Sequence, residues 1–255
     1  MERIKPHQSS GINAAALKNW GIAFLTAGII SRAVLEHQLL QLGSPEQLLE
    51  MMKTSQSVMG ITVLSFILQA IAKSAVPIFS LLLLRAFEEK DSFRELMLRV
   101  LGIAVISEIP YNLAISGSWL EPYGRNPVFG LVLALFLLYG YERFPGKSVG
   151  RVLIKLVLAM AALGWCYLLN AQDSIAVVLV VSVMWAFRNK KQLRNLSGMA
   201  VTLACSAASP FYLASPMGFL AVHFYNGEPE PEKHAASDLA YPVLLLVFAA
   251  AAILI

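Results

Sequence analysis

Four ionisable side chains stand inside long apolar stretches of this 255-residue chain: Arg32, Lys73, Glu108 and Asp173. A charge placed in hydrocarbon is expensive, so each one needs a partner or a use. Lys73 and Glu108 fall near the middle of successive apolar runs, and their matched depth predicts a Lys73–Glu108 ion pair between neighbouring helices. Such a pair either fixes helix register or polarises a cavity in which Lys73 holds an anion. Arg32 is expected to pair with Glu36 one turn later, or to extend its guanidinium toward the outer surface.

The segment Ser107-Glu108-Ile109-Pro110-Tyr111-Asn112 is the richest in polar groups. Pro110 leaves the Ile106 carbonyl without its helical donor. Backbone of that kind is tolerated at membrane depth only where protein or a water-filled cavity covers it. This helix is therefore expected to line an interior pocket, with Ser107, Glu108, Tyr111 and Asn112 as substrate contacts. Histidine is the usual general base, but His7, His37 and His234 lie in polar segments. His223, at the end of a short apolar run, is the one placed near a cavity mouth. The catalytic candidates are thus Lys73, Glu108 and His223. There is no HExxH, Walker A or GxSxG motif and no cluster with metal-ligand spacing, so no metal is expected. Cys166 and Cys205 lie within apolar runs and read as small packing residues.

The elements that must carry these groups follow from composition. Hydrophobic residues make up 57% of the chain and charged ones 14%, with a mean hydropathy of +0.64. A soluble domain carries about 25% charged residues. A water-soluble enzyme, a disordered regulator and a secreted disulfide scaffold are all excluded. At about 20 residues per span, the expected fold is all-α, a polytopic transmembrane bundle of about 8–10 helices. It forms one integral membrane domain over 1–255, with a short cytoplasmic N-terminal segment, 1–16, and a polar loop, 226–237. The spans are read as 17–35, 57–85, 96–116, 127–142, 151–169, 175–187, 197–212, 213–225 and 238–255. The second would be about 44 Å long as one straight helix, so Pro77 is expected to break it. Pro210 and Pro216 leave 197–225 open to two readings, a pair of spans or a re-entrant element.

The net charge of +4 and pI near 9.1 come from short basic clusters between apolar runs, a pattern that sets topology rather than binding nucleic acid. With the N-terminus in the cytoplasm, alternation through the nine spans leaves only Lys53 and Arg125 among the outer-loop cations. The positive-inside rule thus supports a multi-pass protein of the cell membrane with a cytoplasmic N-terminus. The first apolar stretch lacks a small-residue cleavage site, so no removable signal peptide is expected. Ser44-Pro45 opens a short amphipathic helix on the outer surface, and the acidic-proline stretch 227–238 is a solvated connector.

Several stretches, in order, resemble the TraX family of bacterial membrane proteins, named for a conjugation protein that acetylates the N-terminus of pilin. They are Leu17-Lys18, Ala75-Val76-Pro77-Ile78-Phe79, Phe93 to Arg99, Ile106 to Leu113, Asn126 with Phe129, Trp185 to Arg188, Tyr225-Asn226-Gly227 and Tyr241-Pro242. The resemblance implies a membrane-embedded acyltransferase scaffold, acetyl-CoA as donor, and a peptide amine or sugar hydroxyl as acceptor. It adds Asn226 to the substrate-binding candidates. No bound cofactor is expected. The departures are as telling. Relatives carry an Asp-His pair where this chain reads Leu25 to Ser31. Lys73 stands at a motif arginine, Arg85-Ala86 at a Glu-Gly, Glu89-Lys90 at a His-Thr, and Leu244 at the histidine of the last motif. Kept scaffold and lost polar groups imply a diverged, pseudoenzyme-like member with a membrane-protein or peptide partner. The alternative is a working acetyl- or acyltransferase.

Overall fold

The computed structural model describes residues 11–40, 52–53, 55–121, 124–228 and 238–254. The expected surface helix at Ser44 and nearly all of the 227–238 connector lie outside them, as do His7 and His234 and the side chain of His37. Ten α-helices are described: α1 (Ala14–Ile29), α2 (Gln56–Ala72), α3 (Ala75–Glu88), α4 (Phe93–Ser116), α5 (Val128–Arg143), α6 (Val149–Leu169), α7 (Ser174–Ala186), α8 (Lys191–Ala204), α9 (Pro216–His223) and α10 (Ala240–Leu254). A π-helical stretch, Ile30–Leu40, prolongs α1. Helices α2 and α3 together form one interrupted rod, which leaves nine helical elements among the described residues. Four stretches are long and apolar enough to cross a membrane: Ala14–Glu36, Gln56–Glu88, Phe93–Ser116 and Val149–Leu169. The setting is a lipid bilayer. Helix α6 shows why, because only 6% of its apolar window is buried inside the protein. Leu153, Leu156, Val157 and Met160 face outward, which in water would be a large exposed apolar patch.

The break between α2 and α3 follows from Pro77. Proline has no N–H to give the Lys73 carbonyl, and its ring crowds that oxygen. The Lys73 carbonyl instead accepts from Val76 N at 3.2 Å, while Lys73 and Ser74 bond back to Ala70 and Ile71 through tight turns. The break places Lys73 and Ser74 side by side in the interior, both buried. Ser74 Oγ donates to the Ala214 carbonyl at 3.0 Å. Helix α9 crosses at the same point, where a Cβ on Gly218 would lie 2.0 Å from the Ser74 carbonyl oxygen. Only glycine permits that approach.

Residues 197–225 are neither two straight spans nor one helix. Helix α8 runs from Lys191 to Ala204, tight turns follow at Cys205–Ala207 and Pro210–Ala214, and α9 completes the return. Proline at the first position of both Pro210–Ala214 and α9 suits its fixed φ and missing donor.

Two ends of the bundle can be told apart. At one, Ile12 bridges to Tyr225, Lys191 Nζ donates to the Tyr225 carbonyl at 3.0 Å, and Lys90 pairs with Glu142 at 3.0 Å. Lys18, Arg85, Arg99, Arg188 and Lys190 belong to this basic end. At the other, Arg125 N donates to the Asn170 carbonyl at 3.1 Å and Gln172 N to the Arg125 carbonyl at 3.0 Å. This ties the α6–α7 turn to the segment before α5.

Candidate functional site

The α6–α7 turn, Asn170-Ala171-Gln172-Asp173, is the local device that brings polar groups inward. Asn170 and Asp173 both take left-handed backbone, with φ of 47° and 58°, a region that asparagine and aspartate reach more readily than other non-glycine residues. Asp173 holds the N-cap position of α7, where an aspartate usually accepts from its own helix. Its side chain makes no such bond. It is turned across the bundle, where Oδ1 takes Lys73 Nζ at 2.5 Å and the Tyr212 hydroxyl at 2.6 Å. Lys73 Nζ also lies 5.2 Å from the centre of the Tyr212 ring.

Next to Asp173, Gln172 Oε1 accepts from the Tyr111 hydroxyl at 2.6 Å and from Arg32 Nη1 at 3.1 Å. Glu108 takes Arg125 Nη1 at 3.0 Å and the Asn126 backbone N–H at 3.1 Å. Asn126 Oδ1 in turn accepts from Tyr241 at 3.1 Å. These polar groups thus come from the π-helical continuation of α1, the α2–α3 break, α4, the segment before α5, the α6–α7 turn, the Pro210–Ala214 turn and α10.

Two sequence expectations are corrected here. Lys73 pairs with Asp173, and Glu108 with Arg125, rather than with each other. Depth along a helix does not fix the direction a side chain faces, and the nearer counter-charges came from loops. Arg32 bonds to Gln172 instead of Glu36. Glu36 faces α2, where it accepts from Ser65 and Gln69.

A cavity of about 440 Å³ runs up to this network from the basic end. Its walls are apolar, built by Ile22 and Leu25 of α1, Phe79 and Leu83 of α3, and Val100 and Ile103 of α4; Asp173 and Tyr241 reach its floor. Its mouth carries Lys18, Arg85, Lys90, Arg99 and Asp238. Asp238 ties that mouth together, taking Lys18 at 3.0 Å and also Arg99. Helix α4 is buried at Ser107, Glu108, Tyr111 and Asn112, as a covered interior helix should be, and it runs unbroken through Pro110. These four side chains lie beyond the floor rather than along the cavity wall. Lys73 is represented in the cavity by its partner Asp173. His223 is exposed and outside the lining, against Phe224. Asn226 sits at the basic end, donating its backbone N–H to the Ile12 carbonyl at 3.0 Å.

Gln172 and Tyr212 escaped the sequence reading, and Tyr241 entered it only as part of the Tyr241-Pro242 resemblance. The run Asn170-Ala171-Gln172-Asp173-Ser174 between two apolar stretches was the available signal for the first. Tyrosine in an apolar run gives no comparable signal. Among the described residues no group of three His, Cys, Asp or Glu side chains could hold a metal ion.

A family model described as TraX protein matches residues 37–251. No curated protein and no solved structure matches the chain.

Proposed function

The chain belongs to the TraX family, and from that premise we propose that it keeps the family's donor-binding scaffold without its acyl-transfer chemistry. In this reading the cavity takes an amphipathic acyl donor of the acetyl-CoA class. The acyl end sits against the apolar walls and the phosphates meet the cations of the mouth. The positive-inside rule puts that mouth in the cytoplasm, where such donors are found.

One observation carries the non-catalytic half. Asp173, the carboxylate at the floor, is engaged by Lys73 and Tyr212 on a single oxygen, so its charge is balanced by the ammonium beside it and holds the fold. Proton transfer needs a group within hydrogen-bond reach of the reacting atom and free to change state, and His223 lies outside the cavity. The departure at Leu244, within the residues that match the family, agrees with this. The working transferase remains the second reading, favoured by the apolar channel that leads from a cationic mouth to a polar floor.

Detergent-purified protein incubated with radiolabelled acetyl-CoA separates the readings. Saturable binding that weakens in Arg99→Gln, with no release of free acetate or labelled acceptor, is the expected result. Turnover with an amine or sugar acceptor would establish the transferase instead. An absence of binding by well-folded protein would sink the donor cavity and turn attention to a protein or peptide partner.

A further inference from the structure

Between its mouth and its floor the cavity is lined by apolar side chains alone. Three helices each turn one apolar stripe toward the same space. Val76, Phe79, Leu83 and Ala86 fall at helical spacing along one face of α3. Val100 and Ile103 do the same on α4, and Ile22 and Leu25 on α1. Among the described lining residues, every charged or hydroxyl-bearing one belongs to the mouth or, like Asp173 and Tyr241, to the floor. The wall is also long. The step from Val76 to Ala86 covers about 15 Å of helix, and it flanks a space of about 440 Å³. Gly21 closes that wall against α1, because a Cβ there would lie 2.8 Å from the Phe79 ring.

A wall of this kind treats the parts of an acyl thioester differently. The pantetheine arm of coenzyme A carries two amides, and each would give up its water and find no side-chain partner between mouth and floor. A hydrocarbon chain needs no partner there, and every methylene it withdraws from water adds to binding. An acetyl group brings almost none of that gain. The other end of the ligand is decided by charge. Lys18, Arg85, Lys90 and Arg99 stand at the mouth, so an anionic head is held there, in reach of water, while its chain runs inward.

We propose that the cavity binds a long fatty acyl chain, about as long as dodecanoyl, beneath a phosphorylated head that stays at the mouth. This rests on the reading of the cavity as an acyl-donor site and narrows the donor to the long-chain class. Two molecules present that chemistry, a fatty acyl-CoA or a single-chain phosphorylated lipid. The methyl end of the chain then lies against the floor, and the carbonyl carbon lies near the mouth. The Lys73–Asp173 pair therefore closes the far end of a chain pocket rather than meeting the reactive carbonyl.

The test titrates full-length protein in phosphatidylcholine nanodiscs with radiolabelled CoA thioesters from acetyl to hexadecanoyl, against empty nanodiscs. Dodecyl phosphate forms a second arm, a chain and a phosphoryl head without coenzyme A. The expected result is saturable binding that tightens at least tenfold from acetyl-CoA to dodecanoyl-CoA, then levels off once the cavity is full. Partition into the bilayer would grow with each added carbon and would not saturate. Ile103→Trp fills the cavity from the α4 wall and is expected to cancel the long-chain advantage. Should that variant fail to fold, Leu25→Trp fills the same space from α1. Equal affinity for acetyl-CoA and dodecanoyl-CoA overturns the proposal and leaves the short-chain donor reading standing. Dodecyl phosphate that binds, and is lost in the tryptophan variant, while no thioester binds, supports the chain pocket with a lipid source and sinks the donor reading. A long-chain advantage that survives both tryptophan variants puts the chain elsewhere and overturns the proposal. No saturable binding of any probe by well-folded protein overturns both.

Discussion

At the floor of the cavity, Lys73 and Asp173 are 6% and, at the side chain, 13% exposed, and each satisfies the other at 2.5 Å with Tyr212 as a third member. Outside the cavity lining, on the inward face of α8, Arg194 is more deeply buried than either, yet no carboxylate pairs with it among the described residues. The same cost of desolvation is met in two ways. The floor offsets it internally, which makes it architecture: its charges hold the α2–α3 break, the α6–α7 turn and the Pro210–Ala214 turn in register. Around Arg194 part of it is left unmet, with a single 3.3 Å hydrogen bond to Asn195 among the described residues.

That contrast is broken most sharply by removing one member of the floor pair. Asp173→Ala strands a buried ammonium and a tyrosine hydroxyl, so a loss of about 3–5 kcal/mol is expected in thermal or denaturant unfolding in detergent. The paired replacement Lys73→Met with Asp173→Leu removes both charges and is expected to return to within about 1 kcal/mol of wild type, or above it. If Asp173→Ala unfolds like wild type, the floor is not held by its charges and the comparison fails at its first half.

The next effect is steric. Gly218→Ala places a methyl group 2.0 Å from the Ser74 carbonyl oxygen, so α9 must move off the α2–α3 break. Overpacking of this kind costs about 1–3 kcal/mol. A shift of α9 also displaces Tyr212 from Asp173, so the double variant Gly218→Ala, Asp173→Ala should lose less than the sum of the two. Strict additivity would show that close packing at Gly218 and the floor pair are independent.

Glu108→Gln probes the second polar cluster. The amide keeps an acceptor for the Asn126 N–H and loses the charge that meets Arg125. Since Arg125 is 37% exposed at the side chain, water screens it and the loss is expected near 1 kcal/mol. A loss as large as that of Asp173→Ala would extend the paired floor to include Glu108.

Much of this architecture was legible in the sequence, for identifiable reasons. Pro77 announces its break because a missing donor is a local property, and the all-α fold with its long apolar helices follows from apolar run length. Burial of Ser107 to Asn112 follows from the polar groups that no lipid could face. The pairings were not legible. Lys73 and Asp173 are a hundred residues apart, and their meeting depends on which way a left-handed turn aims a carboxylate. Arg125, counted as an outer-loop charge, turns back onto Glu108. Arg194 follows closely on the basic run Arg188-Asn189-Lys190-Lys191, and its sequence position alone does not set it apart from that run. Only the helical phase that aligns it with Gly198 and Thr202 reveals that it points inward.

The smallest expected effect tests whether the mouth also contains one paired group. Burial alone would raise the Asp238 carboxyl, but hydrogen bonds from Arg99 and Lys18 and the charges behind them outweigh it, and hold it below the ordinary 3.8. The unfolded chain therefore binds a proton at a pH where the folded one does not. Stability from this group is fully present above the ordinary carboxylate value and is lost as pH falls through the lower folded value. Arg99 is about a third exposed, so screening limits the contribution to about 1 kcal/mol or less. Unfolding of wild type and Asp238→Asn compared from pH 7 to pH 3 should show a small wild-type advantage that disappears below about pH 4. Equal slopes in the two proteins would mean that Asp238 is held no more tightly than a solvated carboxylate. Among the described residues, the ion pairs left at that end would then be Lys90 with Glu142 and Arg85 with Glu88.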